Sequence, residues 1–120
     1  MNKPARRSFL ALGIVLLALG GALPALSQAV FINEIHYDNL STDVGEAIEV
    51  AGPAGTNLSG WTLVLYNGTG GAVYNITNLS GTIPDQSGTG YGTLSFSYPS
   101  NGIQNGAPDG LALGNGAALV

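Results

Sequence analysis

Cysteine is absent from this 120-residue chain, so no disulfide braces the fold and its stability rests on apolar burial and hydrogen bonding. Basic residues are nearly absent too: Lys3, Arg6 and Arg7 are the only three, and all lie within the first seven positions. From there to Val120 no Lys or Arg occurs. Carboxylates stand at Glu34, Asp38, Asp43, Glu46, Glu49, Asp85 and Asp109, a charge close to −7 with the histidine neutral. Nucleic-acid binding depends on cationic side chains displacing counterions from phosphates, and this stretch has none to offer. The same lack argues against docking on anionic lipid. The chain has one histidine, His36, so a centre built from several imidazoles is excluded. Runs of helical period are also missing.

What is present begins with a leader. Lys3, Arg6 and Arg7 form a positive start, and "FLALGIVLLALGGAL" (9–23) follows as an apolar stretch. "PALSQA" (24–29) ends in the small-x-small pattern Ser27-Gln28-Ala29 that suits signal peptidase. The alternative is an uncut membrane anchor, but the apolar run falls short of the roughly 20 residues a span needs and contains Gly13, Gly20 and Gly21. We therefore expect a signal peptide over 1–29, cleavage near Ala29, and a secreted, bacterial-type product. About 90 residues then remain, enough for one domain with a modest core.

That domain, 30–120, reads as all-β. "VFINEIHY" (30–37) alternates, with Phe31, Ile35 and Tyr37 on one face and Val30, Ile32, Glu34 and His36 on the other. "EAIEVAG" (46–52) sets Ile48 and Val50 against Ala47 and Glu49, and "GWTLVLYN" (60–67) sets Trp61, Leu63 and Leu65 against Thr62, Val64 and Tyr66. "AVYNITNLSGTI" (72–83) reads as one or two short strands. In "YGTLSFSY" (91–98), Leu94, Phe96 and Tyr98 are expected to face inward. Between them Asn67-Gly68, Asn101-Gly102, Asn105-Gly106, Asp109-Gly110 and Asn115-Gly116 offer residues that tolerate positive φ. Short strands with such turns predict a β-sandwich or barrel. "LALGNGAALV" reads as strand, turn and a short second strand, so the sheet is expected to lack its final strand or strands.

Three segments carry a resemblance. "VFINEIHYD", "GEAIEVAGP" and "LSGWTLVLYNG", in this order and spacing, resemble the opening of a bacterial lamin-tail domain, and "LSGTIPDQSGTGYGTLSFSYPSNGIQNGAPDGLAL" is similar to its later part. The likeness spans nearly all of 30–120, with Ala47 standing where the family often has an aromatic residue. It implies an immunoglobulin-like sandwich, and it implies an accessory or targeting role in a secreted multidomain protein. The attached partner it suggests is an extracellular nuclease of the endonuclease/exonuclease/phosphatase type, with its catalytic domain outside this chain. A stand-alone secreted or cell-surface protein that binds a glycan or protein is the other reading.

The acidic cluster "INEIHYDNLSTDVGEAIEV" (32–50) needs its own account. Carboxylate oxygens suit Ca²⁺, which makes Glu34, Asp38, Asp43, Glu46 and Glu49 the candidate ligands. "DNLSTDVGE" nevertheless misses the spacing of a calcium loop, because Leu40 and Thr42 stand where oxygen donors belong. The competing reading makes Glu34 and Glu49 neighbours on adjacent strands, accepting hydrogen bonds from Asn33, threonines or loop amides; a plain solvated acidic face is the third. No G-x-S-x-G elbow accompanies His36, and no catalytic residue is assigned. Trp61, in phase with Leu63 and Leu65, is expected in the core. Tyr37, Tyr66, Tyr74 and Tyr91 lie near strand ends, where any could edge a binding surface.

Overall fold

The computed structural model describes residues 29–116 and 118–120; the predicted leader lies outside them except for Ala29. Among the described residues seven strands form: β1 (Phe31–His36), β2 (Ala47–Pro53), β3 (Trp61–Asn67), β4 (Ala72–Asn78), β5 (Tyr91–Ser97), β6 (Gly110–Asn115) and β7 (Ala118–Leu119). They make two antiparallel sheets, ordered β1-β2-β5 and β4-β3-β6-β7, with no helix among the described residues.

Each sheet buries one face, and the period of two decides which. Ile48 and Val50 of β2 meet Leu63 and Leu65 of β3 and Leu113 of β6, all at most 2% exposed. Leu58, Leu79 and Ile83, from the segments that cross between sheets, close one end of this core. Trp61, Leu94 and Phe96 pack against it while staying partly exposed. Tyr98 ties the sheets together, its hydroxyl 2.9 Å from that of Thr77. Burial holds its phenol above the usual tyrosine range, although the Thr77 hydrogen bond pulls the other way.

The expected alternation holds for β2, β3 and β5 but not for β1. A bulge between Ile32 and Glu34 lets Ile32 face Val50 and Ile35 face Ile48. Val30 and Ile32 therefore pack on the core; Ile35 shares their face through its pairing with Ile48 but stays 37% exposed, and Phe31 remains 48% exposed. The extra residue reverses the phase of the strand, so neither face is continuous from 30 to 37.

The turns also depart from expectation. Of the five Asn/Asp-Gly pairs only Asn101 and Gly116 take positive φ, at 56° and 63°. Gly116 makes the β6–β7 hairpin as predicted. Gly68 is needed for a different reason: a Cβ there would stand inside the Pro108 carbonyl, so the turn after β3 and the loop before β6 meet backbone to backbone.

Candidate functional site at the loop end of the sandwich

Three connections gather at one end: the β1–β2 loop (37–46), the β3–β4 turn (68–71) and the β5–β6 loop (98–109). Loops that carry so much exposed backbone require acceptors for their amides, and the carboxylates supply them. Glu46 has no exposure; its Oε2 accepts from Gly102 N at 2.6 Å and its Oε1 from Ile103 N at 3.1 Å. Just beyond the paired ends of β2 and β5, Tyr98 N donates to Glu46 O at 2.8 Å. Asp43, 7% exposed, accepts from Asn39 N on Oδ1 at 2.8 Å and from Asn105 Nδ2 on Oδ2 at 3.1 Å. Asp109 Oδ1 takes the amide of Gly68 at 2.8 Å, holding the β3–β4 turn to the β5–β6 loop.

The five carboxylates proposed as calcium ligands therefore divide. Asp38, Asp43 and Glu46 belong to the loop end, where Asn105 Nδ2 also approaches Asp38 Oδ1 at 3.4 Å. Glu34 and Glu49 sit directly opposite each other on β1 and β2, on the outer face of the first sheet. Glu49 Oε1 accepts from Asn33 Nδ2 at 2.6 Å, as the neighbouring-strand reading anticipates. Among the described residues no group of three or more His, Cys, Asp or Glu is placed to hold a metal ion.

His36 shares that outer face, in a row with Ala47 and Ser97. Ser97 is two strands away, about 10 Å by strand spacing, well beyond a hydrogen bond to the imidazole. His36 also points away from Ile35, which lines the loop-end cleft, because adjacent strand residues face opposite sides.

That cleft opens between β1, β6 and the 103–109 stretch of the β5–β6 loop, with a volume of about 350 Å³. Ile35, Leu65, Ile103 and Leu111 form its apolar floor, and Tyr37 and Tyr74 reach it from opposite sheets. Of the four tyrosines noted from the sequence, these two edge the surface. Tyr74 is fixed there, its hydroxyl accepting from Gln104 N at 2.9 Å. A shallower depression of about 370 Å³ adjoins it, sharing the 103–107 segment and Asp109 and adding Asp43, Asn67, Thr69 and Asn101. Along the chain Gln104 carries no signal, and Asn105 reads only as half of an Asn-Gly turn pair. The cluster of Asn-Gly and Asp-Gly pairs over 101–110 was the available signal, but it speaks of turns and not of a surface.

Compared with protein families, curated proteins and solved structures, the chain matches none.

Proposed function

We propose that this chain is a non-catalytic binding module of an exported bacterial protein, a lamin-tail-like domain of immunoglobulin-like fold that positions or targets an attached domain. On the resemblance, the attached activity is an extracellular nuclease. The observation that carries the non-catalytic reading is the use of the loop-end carboxylates. Glu46, Asp43 and Asp109 accept main-chain amides and so hold three loops in place, leaving an open cleft with an apolar floor and a rim of amide groups beside the hydrogen-bonded Asp43 and Asp109. Such an end presents a shaped surface, whereas hydrolysis of a phosphodiester calls for a metal cluster or a paired acid and base.

The test has two arms. The purified chain, incubated with DNA and Mg²⁺, Mn²⁺ or Ca²⁺, is expected to release no nucleotides; release that His36→Ala abolishes refutes the reading. Sequencing the source DNA past the codon for Val120 tests the attached partner, and an open frame into a metal-dependent nuclease domain is the expected result. Retention of the chain on DNA without divalent metal contradicts the charge argument.

A further inference from the structure

Resting on the reading of this end as a binding surface, we propose that its ligand is a neutral saccharide lying across the two adjoining depressions, one ring face on Tyr37 and its hydroxyls on Gln104 and Asn105. The shape comes first. Both depressions fall within the roughly 300–1,000 Å³ usual for small-ligand sites, and the 103–107 segment forms a shared wall between them. One has an apolar floor with Tyr37, 43% exposed, at its edge; the other is rimmed by amide and hydroxyl groups together with the carboxylates of Asp43 and Asp109. A ligand that fills both needs an apolar face and a dense fringe of hydrogen-bonding groups, which is the make-up of a pyranose ring.

Charge narrows the class. No Lys or Arg occurs after Arg7, so phosphate, sulfate or uronate groups would find no cationic partner here. The acids do not converge on a cation either: among the described residues no three His, Cys, Asp or Glu are placed to hold one, and Asp43 and Asp109 are turned to hydrogen bonds within the protein, where spare lone pairs can also take a sugar hydroxyl. A neutral ligand fits both facts.

The amides are oriented in advance. Asn67 Nδ2 donates to Gln104 Oε1 at 3.0 Å, which leaves Gln104 Nε2 facing outward as a donor. Asn105 Nδ2 donates to Asp43, which leaves its Oδ1 as an acceptor. A donor and an acceptor on consecutive residues suit a hydroxyl, which gives one hydrogen bond and takes another. Because Gln104 and Asn105 are already held by Asn67 and Asp43, binding loses less side-chain entropy than it would with free loop residues.

The experiment titrates the full purified chain with neutral oligomers of glucose, mannose, xylose and N-acetylglucosamine, with heparin and a lysine-rich peptide beside them, read by calorimetry. At least one neutral oligomer is expected to bind with a sub-millimolar Kd that salt does not alter. Tyr37→Ala should weaken it about tenfold or more, and Gln104→Ala should also weaken it. Tyr91→Ala, at the opposite end of the first sheet, should leave binding unchanged, and Trp61 fluorescence should report an intact fold in every variant. No binding across the neutral panel, binding confined to heparin or the peptide, or binding that Tyr37→Ala leaves intact overturns the saccharide assignment while the module reading stands. Cleavage of any oligomer by the chain overturns the module reading itself.

Discussion

Replacing Glu46 by alanine is the most informative single perturbation of this fold. The carboxylate lies at the base of the β5–β6 loop with no exposure and accepts two main-chain amides, from Gly102 at 2.6 Å and Ile103 at 3.1 Å. Losing the acceptor leaves both donors behind, and an unsatisfied buried donor costs about 1–3 kcal/mol. Ile103 is buried, so its amide sits at the upper end of that range; Gly102 is half-buried and recovers part of its hydration, so its loss is nearer 1 kcal/mol. The expected destabilisation is about 4 kcal/mol, a large share of the roughly 5–14 kcal/mol that a domain of about 90 residues holds. At about 4–8 °C per kcal/mol this lowers Tm by roughly 15–30 °C. Glu46→Gln keeps one acceptor and turns an amide nitrogen toward the other donor, so about half the loss is expected. Urea unfolding followed by Trp61 fluorescence measures both variants, and amide exchange at Gly102 and Ile103 locates the effect. A loss below about 1 kcal/mol for Glu46→Ala, or a glutamine variant as stable as the parent chain, would show that the loop is held by something else.

Gly68→Ala drives a Cβ into the Pro108 carbonyl, main chain against main chain, and should cost about 1–3 kcal/mol; an unchanged urea midpoint would mean the two loops separate freely. Tyr98, whose phenol is held above its ordinary value by burial, makes stability depend on alkaline pH. The unfolded chain releases this proton near pH 10 and the folded chain only above it, so the contribution is whole below about pH 10 and declines as pH rises past it. Tyr98→Phe should flatten that decline, at the loss of about 1 kcal/mol from the Thr77 hydrogen bond at neutral pH. Glu34→Lys replaces a like-charge pair with Glu49 by an opposite-charge one and should stabilise the chain by roughly 0.2–1 kcal/mol at low salt. Millimolar Ca²⁺ should leave Tm of the parent chain unchanged; a rise in Tm that Glu34→Lys removes would restore the outer-face acids as metal ligands.

Some of this architecture could be read along the chain, and some could not. Strict alternation over 47–51, 61–65 and 93–98 was enough to name Ile48, Val50, Leu63, Leu65 and Tyr98 as inward-facing, because a strand's side-chain period is a local property. The all-β character and the Asn115-Gly116 turn follow from equally local preferences. The phase of β1 did not, because whether Asn33 is absorbed by a bulge depends on its pairing with β2. The loop end was hidden for the same reason. Glu46 looks like one acid among five until the chain brings back the amides of Gly102 and Ile103, which stand 56 and 57 residues later. Gly68 looks like a turn residue until Pro108 arrives against it. Backbone period and turn chemistry act between neighbours and can be read in one dimension, whereas burial of a carboxylate and contact between loops depend on which distant segments share the same end of the sandwich.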